Sequence, residues 1–356
     1  MVLQTIWLVD PVPDAKCEAR ATFFLDPLSC SSRPASARPE LRPGQPDAGP
    51  AGRFVDPGYG CPVSTTIEIE LADVRISALR FGSPNAPLTL LLHGYPDTAW
   101  TWRHLGPALA AEGRQVVAPF MRGYGPSGGA PDGCYQIATL AEDALAIAER
   151  LGGGRPIGLV GHDWGAIAAA TAAAIKPEVI DRIVTLAVPQ LAPLLWSSWL
   201  LRNPGLLAAQ LRRSWYIFFQ QIPGVAERSL DWVVPKLWRD WSPGYDATED
   251  LENFWRSVNT PARRTAVLRY YRAFLQPWFQ QPRRWAGQRG WTRPPTMPWL
   301  YLHGERDGCL GADLARAAIA AAPTPNQHSV LPGVGHFLHL EDPDRVNPLI
   351  SSFLAG

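Results

Sequence analysis

Asp163 sits in the run Gly161-His162-Asp163-Trp164-Gly165, a carboxylate framed by two glycines directly after an apolar strand. The run has the form of a strained strand-to-helix turn that lifts one side chain clear of a sheet, a place more often held by serine. A carboxylate there can open an electrophilic carbon and leave an alkyl ester of the protein, which water must then cleave. The second step needs a base. His336, in Gly333-Val334-Gly335-His336-Phe337, follows the last apolar strand, and Asp307, in Gly304-Glu305-Arg306-Asp307-Gly308, follows the strand before it. The chain order nucleophile, acid, histidine suits a relay in which Asp307 fixes the imidazole tautomer and steadies its cation while His336 draws a proton from water. His339 and Glu305 are the rivals for those two roles. The strand-to-loop position favours His336, and Glu305 stands too near its strand end to reach across. Asp163 also suits a helix N-cap, a role compatible with nucleophilicity because a helix N-terminus favours the carboxylate form.

Such residues meet only if sheet and loops bring them together, and the flanking pattern supplies both. Thr66 to Leu71 and Arg75 to Arg80 alternate polar with apolar at a strand period and form a first hairpin. Continuous apolar runs follow at Leu88 to Leu92, Val116 to Phe120, Ile157 to Gly161, Ile183 to Val188, Trp299 to His303 and His328 to Leu331. They alternate with helical stretches at Leu140 to Leu151, Asp163 to Ile175, Leu314 to Ala322 and Pro343 to Phe353. Buried strands each followed by a helix imply an α/β fold with a mostly parallel sheet covered on both faces. Residues 190–295 break the rhythm and hold ten of the fifteen tryptophans. They read as a helical cap, inserted after one strand and closing over the strand ends where α/β sheets bind ligands. A core-packed subdomain with no ligand role is the plainer alternative. The expected division is therefore 63–189 and 296–356 for the two parts of the core, with 190–295 as the cap. Residues 1–62 carry ten prolines and little periodicity, and read as a disordered extension. True initiation near Val63 is the matching expectation, which detection of residues 1–62 in the native protein by mass spectrometry would overturn.

Composition narrows the classes. A net charge of +1 without a basic run gives no electrostatic footprint for nucleic acid or an anionic membrane, so a small neutral substrate fits better. Five cysteines, Cys17, Cys30, Cys61, Cys134 and Cys309, are an odd number without metal-ligand spacing, which argues against a disulfide framework and structural zinc. Met1 to Asp10 lacks a basic leader, and no stretch approaches the roughly 18 apolar residues of a membrane span. These features lead to an expectation of a cytoplasmic protein. A second copy of the chain, as a homodimer, is kept as a candidate partner.

From about residue 64 to the end the chain resembles the epoxide hydrolases of the α/β-hydrolase fold, in which an aspartate followed by tryptophan replaces the serine nucleophile. The resemblance implies an eight-stranded, mostly parallel sheet with an inserted helical cap. His93-Gly94-Tyr95-Pro96 follows an apolar strand where that fold places its oxyanion loop. The donors are then the backbone amides of Tyr95 and Trp164, aimed at charge that gathers on the Asp163 carbonyl oxygen when water attacks the ester. The family holds the epoxide oxygen with two cap tyrosines. Ser214-Trp215-Tyr216-Ile217-Phe218-Phe219-Gln220 is similar to the first motif and Arg269-Tyr270-Tyr271-Arg272 to the second, placing the roles on Tyr216 and Tyr271. Gln220 through Glu227 also looks like family sequence.

Two phenols make chemical sense, because ring opening develops alkoxide character that two O–H donors can bind and then protonate. A phenol with a pKa near 10 keeps its proton at neutral pH. The same aromatics have helical spacing and read equally as cap core, and Tyr270 stands one residue, about 100° on a helix, from Tyr271. His93, Pro96, Trp164, Trp215 and Phe219 are the expected substrate-binding residues. One departure stands out: Phe120 occupies a place where the family commonly has an acidic residue, which bears on loop packing. No metal, flavin or nucleotide is expected.

Two other readings compete. A haloalkane dehalogenase shares the ester route, but that family commonly has asparagine after its His-Gly pair, where Tyr95 stands, and phenols are superfluous for a halide. A non-catalytic receptor for apolar ligands has no use for an ordered nucleophile, acid and base.

Overall fold

The computed structural model describes residues 64–190, 202–276, 290–321 and 326–356. The expected extension over 1–62 and the stretches of the insertion carrying Trp196, Trp199, Trp278 and Trp285 lie outside them. Eight strands form one sheet: β1 (Thr65–Glu70), β2 (Arg75–Phe81), β3 (Leu88–Leu92), β4 (Gln115–Pro119), β5 (Ile157–His162), β6 (Ile180–Leu186), β7 (Trp299–Gly304) and β8 (Asn326–Leu331). Their order is β1-β2-β4-β3-β5-β6-β7-β8. β1 and β2 form the antiparallel hairpin read from the alternation, and β2 pairs antiparallel with β4. All later pairings are parallel, as expected of strands that are apolar throughout. Every residue of β3, β4, β5 and β7 is buried.

The core helices are α1 (Leu105–Ala111), α2 (Ile137–Leu151) and α3 (Trp164–Ile175). The short α1, which the sequence pattern did not announce, packs on β4. α3 reads Trp-Gly-Ala-Ile-Ala-Ala-Ala-Thr-Ala-Ala-Ala-Ile, a sequence of high helix propensity and little side-chain bulk. Small side chains let it press against the sheet. A Cβ on Gly165 would stand 2.0 Å from the Leu92 carbonyl oxygen, and one on Gly161 would stand 2.2 Å from the Gly165 oxygen. The glycine frame around Asp163 therefore exists because two backbones touch there.

β6 begins three residues earlier than the apolar run suggests and stops at Leu186 rather than Val188. Ala187, at φ 67°, turns the chain out of the sheet. Between β6 and β7 the described residues form no strand. They form α4 (Pro204–Arg213), α5 (Trp215–Phe219), α6 (Val225–Trp241), α7 (Thr248–Ser257) and α8 (Pro261–Leu275). The chain then closes with α9 (Ala312–Ala321), the single turn α10 (Leu338–Glu341) and α11 (Pro343–Ala355). The insertion is docked on the core through aromatic contacts. The Trp238 ring of α6 stacks on Phe337 with centroids 3.5 Å apart and planes 9° from parallel, and its Nε1 donates to the Pro96 oxygen at 3.1 Å.

Phe120, where the resemblance led to an acidic residue, is buried at 5 % exposure. The loop it begins is held by backbone instead: Phe120 donates to the Ser77 oxygen, and Ser127 Oγ donates to the Phe120 oxygen at 2.5 Å. No helix among the described residues is long and apolar enough to cross a membrane. Cys134 and Cys309 are free thiols, and Cys17, Cys30 and Cys61 lie outside the described residues.

Candidate active site

Asp163 occupies the turn between β5 and α3 with φ 51° and ψ −117°, a left-handed backbone that a non-glycine residue adopts only when its surroundings force it. The carboxylate makes no capping bond to the helix. Its main-chain oxygen accepts from the amides of Ala166 and Ile167, the ordinary opening bonds of a helix, and the side chain is left for other work. This answers the N-cap reading. Oδ1 accepts the Tyr95 amide at 2.9 Å, which joins one of the two expected oxyanion donors to the candidate nucleophile. Gly94 permits that approach, since a Cβ there would lie 2.4 Å from Asp163 Cβ and 2.6 Å from Oδ1. Trp164 supplies the first residue of α3, and its ring packs edge-on against Tyr270, Tyr271 and Phe274.

His336 Nε2 stands 3.6 Å from Asp163 Oδ2, and its Nδ1 pairs with Asp307 Oδ2 at 2.9 Å. Asp307 Oδ1 is held by the amides of Cys309 at 2.7 Å and Leu310 at 3.0 Å. All three residues, distant in sequence, thus form one buried line. Burial alone would lower the His336 pKa, but the carboxylates of Asp307 and Asp163 outweigh it and raise the imidazole to about 10. The rivals are accounted for. Glu305 is exposed and pairs with Arg316, while His339 is buried and shares a 2.6 Å hydrogen bond with Thr101 Oγ1. His162 Nε2 donates to the His336 carbonyl at 3.0 Å, and burial with two neighbouring imidazoles keeps its pKa well below the usual range.

Helices α5 and α8 bring Tyr216 and Tyr271 together over this line, their rings 5.5 Å apart and edge to face. Burial raises both phenols well above 10. Cys309 and then Asp163 add to this at Tyr216, and Tyr216 and then Asp163 at Tyr271. The adjacent Tyr270 has a different fate. Its hydroxyl donates to the Arg122 carbonyl at 2.7 Å, which fixes it in the core, whereas Tyr271 Oη is buried with no hydrogen bond of sound geometry. Tyr216 Oη has the Cys309 thiol 3.5 Å away.

The expected substrate-binding set divides. Both ring nitrogens of His93 are taken by backbone, Nδ1 by the Gly94 oxygen at 2.9 Å and Nε2 by the Met121 amide at 3.0 Å, so it holds the loop and has no polar atom left for a ligand. Pro96 is likewise buried under Trp238. Trp215 and Phe219 are half-buried and pack on each other at 5.8 Å, with Trp215 also against the exposed Trp232. Sequence patterning gave no sign of Trp241. Its carbonyl accepts the amides of His336 at 3.0 Å and Gly308 at 3.2 Å, and its ring lies 4.9 Å from the imidazole. Gln220, quoted from the sequence only as part of a motif, has a contact of its own: its amide nitrogen donates to Tyr95 Oη at 2.8 Å.

Comparison with known proteins agrees with this architecture. The profile of the α/β hydrolase fold family matches residues 87–343. Epoxide hydrolase 4 of Mus musculus is 30% identical over 318 residues, covering 86% of this chain and 83% of that protein. Epoxide hydrolase A of Mycobacterium tuberculosis is 27% identical over 326 residues, covering 81% and 96%. Among solved structures, epoxide hydrolase A from Mycobacterium thermoresistibile superposes with a TM-score of 0.65 at 25% identity, covering 83% of this chain and 99% of that one.

Proposed function

The chain belongs to the epoxide hydrolases of the α/β hydrolase fold family, and we propose that it hydrolyses an apolar epoxide to a vicinal diol through an ester of Asp163. In the first step Tyr216 and Tyr271 hold the epoxide oxygen while an Asp163 oxygen attacks a ring carbon from the opposite side. The ring C–O bond breaks, the ester C–O bond forms, and the oxygen takes a phenolic proton. In the second step His336 takes a proton from water, which adds to the Asp163 carbonyl carbon. The oxyanion gathers at the Tyr95 and Trp164 amides; as it collapses the acyl C–O bond breaks, the leaving oxygen takes the proton of the added hydroxyl, and the proton on His336 returns to the phenolate, so the diol leaves with Asp163, His336 and the phenol restored.

The observation that carries this reading is the position of the Asp163 carboxylate. It is free of its own helix, held by one amide on one oxygen and faced by the imidazole on the other. The same geometry orders the steps. Asp307 and Asp163 raise the His336 pKa to about 10, and esterification removes the Asp163 charge that helps to hold its proton. Forming the ester therefore releases the base that cleaves it. A single turnover in heavy-oxygen water is the test: the label should enter Asp163, and label passing straight into the diol refutes the ester. His336→Gln should accumulate the ester on Asp163, because ring opening does not use the base.

A further inference from the structure

We propose that Cys309 is a positioning residue for ring opening, its thiol donating to Tyr216 Oη so that the single phenolic proton is turned toward the substrate oxygen. The proposal rests on the ring-opening role assigned above to Tyr216. Cys309 is buried at 4 % exposure, two residues beyond Asp307. Each of its polar atoms is engaged by a different part of the site. Its amide donates to Asp307 Oδ1 at 2.7 Å, its carbonyl accepts Gln210 Nε2 of α4 at 2.8 Å, and its sulfur lies 3.5 Å from Tyr216 Oη. The sulfur, one Asp163 oxygen and one His336 nitrogen all fall within 4.8 Å of one another, so the thiol borders the reacting atoms. Gln210 Oε1 also accepts the Gly311 amide at 3.2 Å, and this clamp holds the loop against the insertion.

The direction of the Tyr216 contact decides its effect. A phenol has one proton, and if that proton went to sulfur it would not be available to the epoxide oxygen. A bound epoxide oxygen selects the opposite sense, because it is a better acceptor for the phenolic O–H than sulfur is. Burial, then the negative charges of Asp307 and Asp163, raise the thiol pKa, so it keeps a proton to give. Sulfur is a poor acceptor, whereas a phenolic oxygen has lone pairs to receive the S–H. With Tyr216 Oη accepting from Cys309, its O–H is free to point into the space shared with Tyr271, whose own hydroxyl is buried without a sound partner. As the epoxide oxygen takes the Tyr216 proton, the S–H continues to donate to the forming phenolate. Cys309 itself forms no bond to substrate and transfers no proton.

The test is a single-turnover measurement with styrene oxide, in which ester formation on Asp163 is followed by rapid quench and mass spectrometry. Cys309→Ala and Cys309→Val should slow ester formation by about threefold to tenfold, the range expected for one weak donor. Ester hydrolysis in the same variants should stay within about twofold, which also shows that they are folded. Cys309→Ser, which restores a donor, should recover most of the loss. In a Tyr216→Phe background, Cys309→Ala should slow ester formation no further. Unchanged or faster ester formation in Cys309→Ala, or an undiminished effect without the Tyr216 hydroxyl, overturns the proposal. Tyr216→Phe alone forming ester at the parent rate overturns the ring-opening role of Tyr216 itself, a failure distinct from that of Cys309.

Discussion

His336 works between two carboxylates, and its pKa of about 10 has a consequence of definite sign. The ordinary value near 6.5 is raised in the folded protein, so this pairing stabilises the fold fully below about pH 6.5 and ceases to do so as pH rises through about 10. In the proposed reaction the protonated imidazole is inactive as a base. The ester should therefore accumulate as pH is lowered, with the hydrolytic rate falling while ring opening changes less, readable by pre-steady-state kinetics across pH. A second residue-scale expectation separates the adjacent tyrosines. Tyr271→Phe should lose about a hundredfold in ester formation by removal of a proton donor. Tyr270→Phe should keep the rate and lose about 1 kcal/mol of stability, because its hydroxyl serves only the Arg122 carbonyl. Steady-state kinetics beside chemical denaturation will distinguish the two. The sequence held both tyrosines but no means of choosing between their directions other than resemblance.

At the scale of elements, the proposed chemistry rests on loops placed by β3, β5, β7 and β8, and their close approach is the limiting condition. Gly94→Ala should cost about a hundredfold in kcat, since its methyl group would fall on the Asp163 side chain and move the carboxylate off line. Binding of a non-reactive epoxide analogue, measured by calorimetry, should be affected less than turnover. The loop after β4 depends on a buried cation. Arg122 is 1 % exposed and meets Asp143 at 2.6 Å and Asp73 at 3.2 Å. Replacing Arg122 with alanine removes the buried cation that pairs with Asp143 and Asp73 and should destabilise the protein by about 3–5 kcal/mol in urea unfolding. The strands were legible because buried parallel strands are apolar throughout, as at Leu88 to Leu92. α1 was missed because seven residues offer too little periodicity to stand out.

For the whole molecule, the helical insertion brings Tyr216 and Tyr271 together and also backs His336. Trp238 stacks on Phe337, the residue after His336, and the Trp241 carbonyl ties the loops of His336 and Gly308 together. Trp238→Ala should therefore lower stability by about 3–5 kcal/mol and reduce ester hydrolysis more than ester formation, measured by thermal denaturation and single-turnover rates. Sequence alone determined the sheet, the glycine-framed turn at Asp163 and the loops of Asp307 and His336, because these rest on local signals: apolar runs, glycines where backbones touch, and loops that follow strands. It also held the tryptophan load of the insertion. Tertiary structure set Tyr271 rather than Tyr270 against Tyr216, which only the resemblance had implied, and it alone decided that both nitrogens of His93 serve its loop and that Cys309 and Trp241 border Asp307 and His336. Those assignments depend on which face each side chain presents to residues far along the chain, and such contacts leave no periodic trace in the sequence.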